Sequence, residues 1–191
     1  IAPDGEYQDG FAKHGPATAA AGLTTKVDYP SYFDTIDHSL PLKFTTFRLN
    51  RQEFKQKSKT FRCTLNELLL VMIYKAIFSM KGTDNKDVVL AVPINLRNKY
   101  ESASLRNFIH IAKIGVRKNS ISSATDEMIM SIRNQLHRQN NKEYLHKAIT
   151  QVARLRYGTI MRLSPLWLKT LIIKAGVICR FDKSCMTVSN L

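Results

Sequence analysis

The run Asp87-Val-Val-Leu-Ala-Val-Pro-Ile-Asn-Leu-Arg97 decides how the rest of the chain is read. From Val88 to Ile94 it is almost unbroken in apolarity and rich in β-branched residues, the pattern of a strand covered on both faces and therefore central in its sheet. Pro93 has no amide proton to give a ladder, so the strand is expected to end close by. Asn95 and Arg97 then project where the sheet gives way to a loop, within reach of a cleft. Downstream, Asn107-Phe-Ile-His-Ile-Ala-Lys-Ile-Gly-Val116 reads as a second strand. Alternation puts Phe108, His110 and Ala112 on one of its faces and Ile109, Ile111 and Lys113 on the other. A lone histidine in such a strand is more often a packing residue than a base, and His110 is kept as a candidate cleft residue.

Working outward toward the N-terminus, Thr64 with Glu67 three residues on forms a capping box that satisfies two helix amide donors. The helix it opens carries Leu68, Leu69, Met72, Ile73, Ala76 and Ile77 as its expected buried stripe, with Gly82 as its stop. Capping accounts for Asn66 and Glu67 without any chemistry. Asn50 caps a shorter helix from Arg51 to about Lys59, whose outer face bears Lys55, Lys57 and Lys59. Lys43 to Leu49 alternates weakly and is expected to be a strand. Residues 1–25 hold four glycines and no persistent period, which reads as a linker or crossover with His14 solvent-exposed. Asp34, Asp37 and His38 could bind a metal or orient a base, but a Pro-flanked loop of this kind usually caps and turns.

Toward the C-terminus, Ser123 is expected to cap a helix with Asp126 and Glu127 in its first turn and Met128, Ile129, Ile132 and Leu136 inward. A helix over about Lys142 to Tyr157 turns Leu145, Ala148, Ile149 and Val152 inward and Lys147, Arg154 and Arg156 outward. Leu163 to Phe181 is membrane-like, but Lys169, Lys174 and Arg180 interrupt it, so it is too charged to span a bilayer. It reads as packed against the sheet, with a weak membrane-surface contact through Trp167 as the alternative. Cys185 to Leu191 reads as a strand.

The chain has 191 residues and 44% hydrophobic content, enough for one domain with a substantial core. Its 29 Lys and Arg against 15 Asp and Glu give a net charge of +14, which implies a polyanionic neighbour. Nucleic acid, membrane headgroups, an acidic carrier protein and a nucleotide-bearing cosubstrate all fit, and charge alone does not choose among them. Cys63, Cys179 and Cys185 form no Cys-x-x-Cys pair and no even disulfide framework, which points to a reducing, cytoplasmic location.

The ordered set Thr64-Leu-Asn-Glu67, Val92-Pro-Ile-Asn-Leu-Arg97, Asn107-Phe108 and Val188-Ser-Asn-Leu191 resembles the C-terminal half of the chloramphenicol acetyltransferase-like superfamily. That superfamily includes condensation domains, alcohol acetyltransferases and the wax-ester synthase type. The resemblance implies an α/β fold, a two-layer sandwich of a mixed sheet with helices on one side, over residues 26–191. It implies an acyltransferase that moves an acyl group from acyl-coenzyme A or an acyl-carrier protein to a small alcohol or amine, with no tightly bound cofactor and no metal. The family's His-His-x-x-x-Asp-Gly motif is not in this chain, since none of His14, His38, His110, His137 or His146 is followed by Asp at the fourth position. Catalytic residues are therefore expected in a partner, the N-terminal half of the same domain, and the chain reads as a fragment truncated near Leu191.

By the same resemblance Arg97 pairs with the Asp of the missing motif, and Asn95, Asn107, His110, Ser189 and Asn190 border the substrate tunnel. Ser189 is a candidate hydroxyl donor to a developing oxyanion. The rival class is a non-catalytic basic module binding nucleic acid or a membrane surface. No nucleic-acid motif is present and the basic residues are spread without aromatic interleaving, so no specific nucleic acid is expected as a partner.

Overall fold

The computed structural model describes residues 5–15, 44–80, 87–117, 124–171 and 185–189. In chain order the elements are α1 (Gly10–His14), α2 (Arg51–Thr60), α3 (Leu65–Phe78), β1 (Asp87–Asn95), α4 (Arg97–Tyr100), β2 (Ile109–Arg117), α5 (Thr125–Gln139), α6 (Lys142–Tyr157), α7 (Thr159–Leu163) and β3 (Met186–Thr187). Among the described residues the chain is thus mixed α/β, with these seven helices, a further helical stretch at 166–171 and one three-stranded mixed sheet.

The strand order is β2-β1-β3, so β1 is central as its apolarity requires. It pairs antiparallel with β2 from Asp87↔Arg117 to Asn95↔Ile109, and parallel with the short β3 at Leu90↔Met186 and Ala91↔Thr187. Pro93 sits inside this strand without breaking it. Leu96 N–H donates to Phe108 O, whereas Val89 O and Ala91 O accept from the β3 side, so by alternation Pro93 turns its missing donor away from β2.

Both sides of β1 are buried: Val88 and Leu90 on one face, Val89 and Ala91 on the other. Val88 and Leu90 form one core with Ala112, Ile114 and Val116 of β2, with Leu70, Val71, Tyr74 and Ile77 of α3, and with Met128, Ile129 and Ile132 of α5. Each buried Val, Leu, Ile or Met among them contributes about 1.5–3 kcal/mol. Tyr74 is fully buried, and its hydroxyl donates to Ile114 O at 2.6 Å, fixing α3 to β2. A second cluster gathers Leu96, Phe108, Leu145 and Ile149, which seats α6 at the other end of the sheet.

The outer edge of β2 is closed by side chains. Gln135 and Gln139, one turn apart on α5, take the places of residues in a neighbouring strand. Gln139 accepts from Lys113 N–H at 2.9 Å and donates to Lys113 O at 2.7 Å; Gln135 does the same to Gly115, at 2.9 Å each way. This satisfies an edge that would otherwise template pairing with another chain.

Several expectations are corrected. The stripe of α3 is rotated: Met72 and Ala76 are exposed, while Leu70, Val71 and Tyr74 face inward. Its helix closes at Ser79, ahead of Gly82, which lies outside the described residues. The N-cap of α5 is Ala124, which makes no side-chain cap bond, and Ser123 is not described. Val152 is exposed, and Thr150 and Ala153 are buried in its stead. Phe44 to Leu49 forms no strand and is exposed throughout, because β-propensity alone supplies no partner edge. Leu163, Leu166, Trp167 and Leu171 are exposed as well, so the described part of the membrane-like stretch does not pack on the sheet. Among the described residues no helix is long and apolar enough to cross a membrane.

Of residues 1–25, read as a linker or crossover, the described part, residues 5–15, carries the short helix α1 and packs against α6. Asp9 caps α1, its Oδ1 accepting from Phe11 N–H at 2.9 Å, while Oδ2 accepts from Tyr157 hydroxyl at 2.5 Å and meets Arg156 Nη1 at 3.0 Å. Burial alone would raise the Asp9 carboxyl; these donors outweigh it and hold it below its ordinary value. The segment lies so close that a Cβ on Gly10 would come within 2.7 Å of the Phe108 ring, and one on Gly15 within 2.9 Å of Ile149 and Ala153.

Candidate functional site

The sequence candidates converge on one end of the sheet. Asn95 closes β1, is exposed, and accepts from Arg97 N–H at 3.0 Å through Oδ1, turning the chain into α4. Asn107 is exposed just ahead of β2. Ser189 is exposed two residues past Thr187, where β3, parallel to β1, ends, so it lies toward the same end of the sheet as Asn95. Asn190 lies outside the described residues, as do Asp34, Asp37, His38 and Cys179. Cys63 and Cys185 are both half-buried.

Arg97 serves its own loop. Its Nε donates to Ser104 O at 2.7 Å, and Nη2 to Leu105 O at 3.3 Å and Arg106 O at 2.8 Å. The planar fork suits three converging carbonyls in a way that an ammonium does not. Ser104 beneath it is buried, and its hydroxyl accepts from Arg106 N–H at 3.1 Å.

His110 stands opposite Ile94 on the helix-covered face of the sheet. Its ring meets Tyr144 of α6 edge-on, with centroids 5.7 Å apart. Burial holds its pKa below the ordinary histidine value, so the ring is neutral near neutral pH. Its Nε2 is buried and, among the described residues, without a hydrogen-bond partner.

A second group at this end was not legible in the sequence. His14, expected in solvent, is half-buried; its ring stacks on Phe108 at 5.9 Å and tilts against Tyr100 at 5.2 Å. Phe11 meets Phe108 edge-on at 5.0 Å. His14 Nε2 and the Tyr100 hydroxyl are both buried without partners among the described residues. Burial, and then the charge of Lys13, lowers the His14 pKa, while burial raises that of Tyr100. Both rings are therefore neutral. The available signal was Asp9, a helix-capping residue ahead of Phe11 and His14.

Buried polar atoms without protein partners are where a bound polar group would complete its hydrogen bonds. The end of the sheet thus offers two neutral imidazoles, a phenol, exposed amides at Asn95 and Asn107, and the Ser189 hydroxyl. These groups suit binding and orientation of an uncharged polar ligand. Among the described residues no set of three or more His, Cys, Asp or Glu is grouped to hold a metal ion. Comparison with known proteins matches the chain to no family model, no curated protein and no solved structure.

Proposed function

We propose that this chain is the C-terminal, non-His-motif half of an acyltransferase of the chloramphenicol acetyltransferase-like type, a two-layer sandwich with its helices on one side of a mixed sheet. The observation that supports this reading is spatial. The segments that carry the resemblance lie far apart in sequence, yet Val92–Arg97, Asn107–Phe108 and Val188–Ser189 meet at one end of one sheet, and the Thr64 capping box opens the helix that packs beneath it.

In this reading a histidine of the N-terminal half removes a proton from an alcohol or amine as it attacks the thioester carbonyl of acyl-coenzyme A or an acyl-carrier protein; the tetrahedral intermediate then collapses with cleavage of the C–S bond, and the departing thiolate takes that proton from the histidine. The present half forms the tunnel wall, and the Ser189 hydroxyl donates to the oxyanion as it develops. Arg97 has two tasks: Nε and Nη2 hold the loop, and Nη1 pairs with the Asp of the histidine motif. The net charge of +14 attracts the phosphates of coenzyme A or an acidic carrier protein.

The test is a free-thiol assay with acetyl-coenzyme A and a panel of alcohols and amines. The 191-residue chain alone is expected to show no turnover, and the protein carrying both halves is expected to turn over. Turnover by the chain alone that disappears in His110→Ala would overturn the proposal.

A further inference from the structure

Between Glu143 and Asp182 the chain contains no carboxylate side chain, and it carries seven Lys and Arg there. Within the described part of that stretch, large apolar side chains stand out from the surface. Leu163 is 80% exposed, Leu166 79%, Trp167 69% and Leu171 61%. Residues 166–171 are helical, begun by Leu168 and Lys169 N–H donating to Pro165 O at 3.1 Å each. Leu166, Trp167, Thr170 and Leu171 line a shallow, open groove. Arg162, exposed, and Lys169, half-buried, flank the apolar side chains. A protein surface seldom leaves this many large apolar groups in contact in water unless something covers them.

We infer that the stretch from α7 through Leu171 is a docking surface for an anionic lipid bilayer, lying in its interface with Leu163, Leu166, Trp167 and Leu171 turned into the acyl boundary. Charge selects this occupant. A stretch without acidic side chains adds no repulsion of its own toward phosphate headgroups, and Arg162 and Lys169 reach those headgroups as the aliphatic groups insert. Trp167 has the amphipathic ring that settles at such an interface. The groove is apolar rather than a row of stacking platforms, so it offers no grip on bases. A second copy of the chain would bring an equally basic face against it. The contact is peripheral, because no described helix is long and apolar enough to cross a membrane. This inference does not depend on the acyltransferase reading, and its test does not involve acyl transfer.

Trp167 is the one tryptophan in the chain, so its emission reports on this surface alone. The full chain is titrated with vesicles of phosphatidylcholine, and of phosphatidylcholine mixed with phosphatidylglycerol, and bound protein is also measured by co-sedimentation. The anionic vesicles are expected to shift Trp167 emission to shorter wavelength and to pellet the protein, while the neutral vesicles do neither. Leu166→Glu with Leu171→Glu should abolish both effects. Arg162→Gln and Lys169→Gln should each weaken partitioning roughly fivefold. Arg162, Leu166 and Leu171 are exposed and Lys169 is half-buried, so none of these changes opens the core and circular dichroism of the variants should match the parent. The inference is overturned if anionic vesicles leave the emission unchanged, or if the paired glutamates bind as well as the parent. It is equally overturned if duplex DNA at physiological salt produces the same shift, or if the parent self-associates without lipid through the residues that the glutamates replace.

Discussion

Arg133→Ala should be one of the most damaging single changes outside the apolar core. Arg133 Nε and Nη2 reach the two carboxylate oxygens of Glu67 at 3.0 Å each, and Nη2 also donates to Arg62 O at 2.7 Å. Glu67 accepts from Thr64 N–H at 2.8 Å and closes the capping box of α3, so the pair ties α5 to the start of α3. Losing one partner of a fully buried pair costs about 3–5 kcal/mol. The Glu67 side chain is 5% exposed but that of Arg133 is 35% exposed, so water reaches the pair and about 2–3 kcal/mol is the expected loss. For a chain of this length that lowers Tm by about 4–12 °C. The pH dependence gives a sharper test. Burial alone would raise the Glu67 pKa; the bonds from Arg133 and Thr64 outweigh it and hold it below its ordinary 4.5. A carboxyl depressed on folding stabilises fully above its unfolded value, and that contribution fades as pH falls through the folded value. Without Arg133 the chief lowering influence is lost and the carboxyl protonates at higher pH than in the parent, so the deficit of the variant should shrink as pH falls from 7 toward 4. Urea denaturation of the parent, Arg133→Ala, Glu67→Gln and the double variant across that range measures the coupling. A loss below about 0.5 kcal/mol at pH 7, as for a surface pair, or a deficit that does not change with pH, would refute the reasoning.

Gln139→Ala removes both bonds to Lys113 and should cost about 1–3 kcal/mol in urea denaturation. Because it also opens the β2 edge, sedimentation velocity should detect self-association that the parent lacks. Asp9→Ala removes the α1 cap and the contacts to Tyr157 and Arg156. Amide exchange of residues 10–15 should accelerate, while that of α3 and α5 stays unchanged.

What the sequence made legible follows from where each signal is written. The Thr64–Glu67 box, the Asn50 cap and the unbroken run of β1 are local patterns, and the elements they announce start or lie where expected. The alternation of β2 likewise separated Phe108 and Ala112, which are buried, from Ile111, which is exposed, without saying which face is inward. The α3 helix is apolar nearly all round, so its period carries no direction; tertiary partners, Ile114 O for Tyr74 and Arg133 for Glu67, decide which side is buried. Gln135 and Gln139 look in sequence like an ordinary wet face of α5, and only the neighbouring strand edge gives them a role. The five-residue α1 helix is too short to stand alone and exists because Asp9 is held by α6. Its burial of His14 is therefore invisible until the fold is known.

The loop that follows β1 ties these pieces to the candidate site. Both faces of β1 are buried and the β2 edge is closed by two glutamines, so the polar candidates gather at the sheet end, beside residues 96–108. That loop is held from three directions: by Arg97 from within, by Lys99 Nζ donating to Asn140 O at 2.6 Å, and by Leu105 N–H donating to Glu6 O at 2.8 Å. Within it Glu101 takes a left-handed conformation, φ 45°, which costs a non-glycine residue about 1–2 kcal/mol and persists only where its surroundings over-determine it. A lid that opened with each ligand would have to break these ties together. The loop is better suited to hold Asn95, Tyr100 and Asn107 in fixed relation to His14 and His110, so that a ligand meets a preformed wall rather than one it must organise.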